Sequence, residues 1–340
     1  MDAALSGERE VFDIIIVGAG PTGLFGVFYA GMRGMKTKVI EALPDVGGQL
    51  AALYPEKEIF DVAGFPRVGA KKLVELCKEQ ADHANPEAVY ALGQRVEALN
   101  RLDDGTIELT THTGQRHFGR CVLITAGIGA FEPNRVPNES VRAYEQKGVF
   151  YSVVNLPQFA GKDALVVGGG DSAVDYALML EPIARSVTLI HRRDGFRAHE
   201  ESLRKLAGSK VHVQTFYELR SISGDGSWVN EAVIFDNRTG EETHLHVDYV
   251  ILGTGFKASL GHMLDWGLAI EHKKQIVTNS KGETNIPGVY AAGDVAWYPG
   301  KLRLIATGFG EAATAVNNAK AFIDPGSAAF PGHSSEVSHK

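Results

Sequence analysis

Two glycine-rich segments have the spacing that lets a backbone hold a pyrophosphate. The first is Gly18-x-Gly20-x-x-Gly23, with Thr22 inside it. Its glycines allow a tight turn, a close approach of main chain to phosphate, and close packing of the following helix on the preceding strand. The N-terminus of that helix offers N–H groups and partial positive charge. Glu41 stands 18 residues after Gly23, where a carboxylate accepts hydrogen bonds from both ribose hydroxyls of an adenine dinucleotide. The second segment is Gly168-x-Gly170-x-x-Ala173, enclosing Asp171 and Ser172. The residue 18 places after Ala173 is His191 rather than an acid, and it is followed by Arg192 and Arg193, with Arg197 near. A carboxylate repels a 2′-phosphate, whereas guanidinium groups grip it with paired hydrogen bonds. The second segment therefore reads as an NADP(H) site, with Arg192 and Arg197 as the leading phosphate ligands. Two dinucleotide sites in one chain point to a nicotinamide exchanging electrons with a flavin.

The elements around these residues repeat one plan. Val11–Val17 is a β-branched, largely apolar run ending in glycine, without polar alternation, which predicts a strand buried on both faces of a parallel sheet. A helix over Leu24–Met32 and a strand over Thr37–Glu41 complete a βαβ unit. The same order returns as strand Asp163–Val167, helix Val174–Leu180 and strand Ser186–His191. Hairpin material spans Gly93–Thr113 around an Asp103-Asp104-Gly105 turn, and Cys121–Gly127 reads as a buried strand ending in glycine. The second half echoes this with Val211–Phe235 and Tyr249–Gly255. The expected fold is α/β, with two doubly wound, three-layer, Rossmann-like nucleotide-binding domains. The first domain is discontinuous, residues 1–127 and 260–340, and the second is 128–259. The links near Gly127–Pro133 and Gly253–Ser259 carry several glycines and suit hinges.

Composition excludes other classes. Apolar residues make up 44% and charged residues 22%, so the chain is globular rather than disordered. A net charge of −7 gives no strong positive field for nucleic acid. The two cysteines, Cys77 and Cys121, lie outside any CxxC, which argues against a disulfide framework, a zinc ribbon or a dithiol centre. Met1–Glu10 holds four charges and Val11–Val17 is only seven residues long, so no export signal or membrane span is expected and a cytoplasmic enzyme is the default. Cys77 lies among Leu73, Val74 and Leu76 as a core residue of a helix. His244 and His246 share one side of a strand and read as a solvated face with no carboxylate cluster beside them, so no metal site is expected. Arg67, Lys71 and Lys72 form a small basic patch, either ordinary surface charge or a dock for an acidic carrier protein. Asp324–Lys340 is rich in Pro, Gly, Ser and Ala and reads on composition alone as a disordered end.

Thr284–Asp294 is an apolar strand ending in Gly293-Asp294. With the two glycine motifs it resembles the pyridine-nucleotide disulfide oxidoreductase superfamily. Size and motif order are similar to the low-molecular-weight thioredoxin reductases, but Ser152 and Asn155 occupy the places of their redox cysteines. A dithiol relay is chemically impossible there. Gly47-Gly48-Gln49-Leu50, Tyr54-Pro55-Glu56-Lys57, Asp61–Pro66 and the tail Pro331–Ser335 resemble the thioredoxin-reductase-like ferredoxin–NADP⁺ reductases, from Val11 to about Ser335.

That resemblance implies FAD contacts at Glu41, Gln49, Tyr54, Val96, Phe131, Asp294 and Ser334. Tyr54 would stack on one flavin face. Residues Ala306–Ala319 would form a helix aiming its N-terminus at the flavin pyrimidine. The tail becomes a lid over the flavin of the other subunit in a homodimer, with Phe330 or His333 as the covering residue. The implied activity is electron exchange between NADP(H) and ferredoxin or flavodoxin. The alternative is a flavin oxidoreductase acting on a small acceptor such as a quinone or oxygen. No acid or base residue is expected in either case.

Overall fold

The computed structural model describes residues 9–153, 155–272, 274–328 and 332. The chain divides into two compact units, Met1–Ala130 with Ala258–Lys340, and Phe131–Lys257.

In the first unit Val11–Val17 lies in the middle of a seven-stranded sheet. It pairs in parallel with Thr37–Ile40 (Ile14↔Thr37 to Val17↔Ile40) and with Arg116–Ile124 (Ile14↔Cys121 to Val17↔Ile124). Val89–Ala91 and Val289–Ala291 extend the parallel part, and the hairpin Val96–Arg101/Ile107–Thr111 continues it in antiparallel sense. Successive side chains of a strand face opposite ways. Ile14 and Ile16 accordingly join a core made with Val27 and Ala30 of helix Pro21–Met32 and with Ala312, Val316 and Ala319 of helix Ile305–Ile323. Ile15 and Val17 join a second core with Leu109 of the hairpin, Ile276 and Val295. Covering both faces in this way is why the strand is continuously apolar from Ile14 to Val17.

The second unit holds a five-stranded, wholly parallel sheet in the order Val149–Phe150, Tyr249–Leu252, Asp163–Val167, Ser186–His191, His212–Thr215. Helices Asp171–Leu180 and Glu200–Ala207 cover one face. An antiparallel sheet of Tyr217–Gly224, Val229–Asp236 and Glu242–His246 covers the other, through Ile222, Val229 and Ile234 against Leu165 and Val250. Both units are thus three-layered α/β structures.

Two boundaries differ from expectation. The motif helices start at Pro21 and Asp171, three residues before the apolar periodicity begins, because their first turns are made of proline and small or polar residues that give no apolar stripe. The strand placed at Cys121–Gly127 runs instead over Arg116–Ile124, and Thr125–Gly127 is a loop facing the first glycine motif. Among the described residues no helix is long and apolar enough to cross a membrane.

Candidate functional site

The first cradle is built by close main-chain packing. Gly18 adopts φ +106°, and a methyl group on it would sit 2.7 Å from the carbonyl oxygen of Thr125. A methyl group on Gly23 would sit 2.0 Å from the Gly18 oxygen and 2.8 Å from Thr125 Oγ1. Thr125 Oγ1 in turn donates to the Gly18 carbonyl at 2.8 Å. Gly20 caps helix Pro21–Met32 in extended conformation, and a methyl group there would meet nothing within 4 Å. The open space in front of a free helix N-terminus is where a pyrophosphate fits.

Other segments close round this turn. Gly47 N–H donates to the Ala19 carbonyl at 2.8 Å, and a methyl group on Gly48 would lie 3.2 Å from Gly20 Cα. Gln49 follows, with its Nε2 4.0 Å from where a methyl group on Gly127 would be. Glu41, 6% exposed, directly follows the strand Thr37–Ile40. Its Oε2 accepts from Ala19 N–H at 2.6 Å and its Oε1 from Leu43 N–H at 2.9 Å. Burial pushes the Glu41 carboxyl up from its usual range, and these backbone donors oppose that shift. Each oxygen keeps acceptor capacity for a ribose hydroxyl.

Thr22 has a packing task that its place in the motif did not suggest. Methyl groups on Gly308 and Gly293 would lie 2.4 Å and 3.0 Å from Thr22 Oγ1. The last helix and the turn bearing half-buried Asp294 therefore come directly onto the first motif helix. Tyr54 ends the short helix Gly48–Leu53, half-buried, with the Lys57 ammonium 5.7 Å from its ring centroid. Val96 opens the hairpin, and its side chain is committed to the apolar core beside Leu99 and Ile107. Phe131 lies in the short strand Ala130–Pro133, with its side chain outside the described residues. Phe330, His333 and Ser334 also lie outside them.

The second cradle solves the same packing problem with the sizes exchanged. Its third position is Ala173, and the residue facing it is Gly253, where a methyl group would lie 2.7 Å from Ala173 Cβ. In the first cradle the third position is glycine and the facing residue is Thr125. One methyl-sized gap exists at each helix–strand contact, filled from opposite sides.

The arginine loop is folded onto this cradle. Arg197 N–H donates to the Gly169 carbonyl at 2.7 Å, and His199 N–H donates to Asp171 Oδ1 at 2.9 Å. The His191 ring lies over Gly169, where a methyl group would be 2.1 Å from its Cε1, and Nε2 is 3.2 Å from the Gly195 oxygen. Burial and the three neighbouring arginines hold the His191 imidazole below its usual range, opposed by the Gly195 contact. Arg192, Arg193 and Arg197 are exposed, and none has a carboxylate partner among the described residues. Gly170 again faces open space, the nearest atom to a methyl group there being the Arg197 oxygen at 4.0 Å. Asp171 thus anchors the loop, a role its motif position did not show, and Ser172 begins the helix beside it.

Two surface expectations are corrected. His246 does have carboxylates beside it, Asp163 and Asp248, grouped with it closely enough to hold an ion. Those carboxylates are already engaged by Arg185, Lys162, Ser186 and the Asp163 N–H. The patch at Arg67, Lys71 and Lys72 is not uniformly basic, because Glu58 lies 3.7 Å from Arg67 and Glu75 lies 3.3 Å from Lys72.

The cysteines bear on redox chemistry. Both are free and buried. Burial pushes the Cys77 thiol up to about 11 and the Cys121 thiol up to about 12, so neither supplies a thiolate near neutral pH.

The profile of the pyridine nucleotide-disulphide oxidoreductases matches residues 12–319, which spans both cradles. The chain belongs to that family. A ferredoxin–NADP reductase of Symbiobacterium thermophilum is 78% identical over 336 residues, 99% of this chain and all of the relative. One from Halalkalibacterium halodurans is 53% identical, covering 98% of this chain and all of the relative. Among solved structures, T. acidophilum thioredoxin reductase superposes with a TM-score of 0.74 at 25% identity, covering 94% of this chain and 100% of that one. Lactococcus lactis thioredoxin reductase gives 0.73 at 26% identity, covering 92% and 99%. The chain has both glycine-rich cradles, while its two cysteines are free and buried.

Proposed function

We propose that this chain is a ferredoxin–NADP⁺ reductase that carries FAD in the first unit and takes NADP(H) in the second. The observation that carries the reading is the pair of glycine cradles with opposite charge. One ends in buried Glu41, suited to ribose hydroxyls, and the other in three exposed arginines, suited to a 2′-phosphate. The full-length likeness to ferredoxin–NADP reductases supplies the electron carrier. The physiological carrier is ferredoxin, with flavodoxin as an equivalent one-electron acceptor. We also take the enzyme as a cytoplasmic homodimer whose C-terminal segment, with Phe330, His333 and Ser334, covers the flavin of the other subunit.

Bound FAD supplies the exchange between two-electron hydride chemistry and one-electron steps. The residues of the chain bind, orient and shield. Gly18, Gly20 and Gly23 admit the FAD pyrophosphate to the helix N-terminus, Glu41 takes the ribose, and Gln49 and Asp294 approach from the flanking turns. Val96 and Phe131 contribute through the strands that bear them. Gly168, Gly170 and Ala173 do the same for NADP(H), with Asp171 and His191 holding the loop from which Arg192, Arg193 and Arg197 reach the 2′-phosphate. Hydride transfer itself moves no proton to or from the protein, and the one proton released when two one-electron carriers take the electrons of a hydride would pass to solvent, so no side chain is assigned as acid or base.

Steady-state reduction of a small iron–sulfur ferredoxin by NADPH is the direct assay. A rate confined to quinones or oxygen, with ferredoxin inert, would favour the small-acceptor alternative. Tyr54→Ala is expected to shift the flavin absorbance maximum and slow flavin reduction about 10-fold, as loss of a stacking ring misplaces the reacting atoms. An unchanged spectrum and rate would remove Tyr54 from the site. The double variant Cys77→Ala/Cys121→Ala is expected to keep the ferredoxin rate within about twofold, because buried thiols with raised pKa are inert. A loss of more than about 10-fold in a folded variant would implicate a thiol in the electron path.

A further inference from the structure

Lys301 and Glu311 form the most deeply buried pair of opposite charges among the described residues, with side chains 4% and 14% exposed. Nothing in the sequence marked them. Glu311 sits in the second turn of helix Ile305–Ile323, and Lys301 lies in the segment leading to it. Lys301 Nζ donates to both carboxylate oxygens of Glu311. Glu311 Oε2 also accepts from Gly293 N–H at 2.8 Å, and Oε1 accepts from the Tyr298 hydroxyl at 2.7 Å. The bond to Glu311, with burial, pushes the Tyr298 hydroxyl up to about 12, so it remains a donor.

A buried ion pair is a weak device for stability, since desolvating two charges cancels most of their attraction and an apolar pair packs as well. Its position is more informative. One carboxylate ties the Gly293–Asp294 turn, the Tyr298–Lys301 turn and the last helix together. The other side of the turn is held by Gln275, whose Nε2 donates to the Asp294 carbonyl at 3.4 Å and whose Oε1 accepts from Arg303 at 2.9 Å. An unbalanced charge at so buried a place acts through a low local dielectric.

We propose that Lys301 and Glu311 are a positioning pair that fixes the Gly293–Asp294 turn against the last helix and, by balancing their charges, sets the reduction potential of the flavin held there. This rests on FAD occupying the first unit. Neither residue is a catalytic residue. Two electrons bring negative charge to the flavin. Leaving Lys301 unpaired favours that charge, and leaving Glu311 unpaired opposes it.

The test is a spectroelectrochemical titration of the FAD-loaded protein and three variants. Glu311→Gln is expected to raise the potential and Lys301→Met to lower it. Each shift corresponds to at least a tenfold change in the reduction equilibrium, about 30 mV for two electrons. The donors Gly293 N–H and Tyr298 OH remain in place on the Glu311 carboxylate in Lys301→Met. The double variant Glu311→Gln/Lys301→Met, neutral and of similar volume, should return close to the parent potential. Shifts of one sign in both single variants, no shift, or a double variant displaced further than either would overturn the proposal. If a single variant fails to fold, Lys301→Arg and the double variant decide it, since both must then hold FAD at the parent potential. A parent protein that binds no FAD would instead overturn the functional reading itself.

Discussion

Replacing both Arg192 and Arg197 with alanine raises the KM for NADPH about 100-fold and leaves that for NADH within about threefold. Charge-assisted hydrogen bonds contribute about 1.5–3 kcal/mol each, and exposure to solvent puts both arginines at the low end, so the pair contributes about 3 kcal/mol. The effect is confined to NADPH because NADH lacks the 2′-phosphate, and the backbone anchors of the loop at Gly169 and Asp171 are untouched. Arg193 alone remains as counter-charge on the loop. Asp171→Asn makes a useful contrast, since it weakens the His199 anchor and loosens all three arginines together. Equal losses for both cofactors in the arginine variant would contradict the assignment of the loop to the 2′-phosphate.

Gly23→Ala should be the most damaging single methyl group in the first unit. The methyl would lie 2.0 Å from a backbone carbonyl oxygen, which no rotamer change relieves. The helix must move off the strand, at a cost of about 3 kcal/mol or more, and the pyrophosphate site opens with it. The expected product unfolds at lower temperature and loses FAD on purification. Ala173→Gly, at the matching position of the second cradle, removes a methyl group facing Gly253 and should cost only about 1 kcal/mol. Thermal unfolding of the two variants side by side checks this, and equal behaviour would contradict the account of exchanged sizes at the two helix–strand contacts.

Chemistry that depends on local spacing was legible in the residues. Val11–Val17 reads as a buried strand because both its faces meet core from Ile14 to Val17, and the one polar residue, Asp13, sits near its start, where it accepts from Lys36 N–H. The strand–turn–helix order round each glycine motif was legible because those elements are neighbours in the chain. Legibility ended where a side chain's partner is distant in sequence. Asp171 reads as a motif residue, yet its carboxylate is engaged by His199, 28 residues on. Asp163 and His246 look unrelated until a parallel strand and an antiparallel sheet bring them together. Lys301 and Glu311 carry no periodicity, because one lies in a loop and the other on a helix. The first turns of the two motif helices were missed because proline, glycine, threonine, serine and aspartate there give no apolar periodicity, although Thr22 and Gly23 pack closely against neighbouring segments.

The most direct test is anaerobic rapid mixing of the yellow protein with NADPH, followed by oxidised ferredoxin, with flavin and ferredoxin absorbance recorded together. The account expects rapid loss of the flavin band with NADPH, much slower loss with NADH, and return of the band as ferredoxin is reduced at low micromolar concentration (about the range of a weak electron-transfer encounter). Flavin that NADPH does not bleach, or reduced flavin that ferredoxin leaves unchanged while a quinone or oxygen reoxidises it, would contradict it.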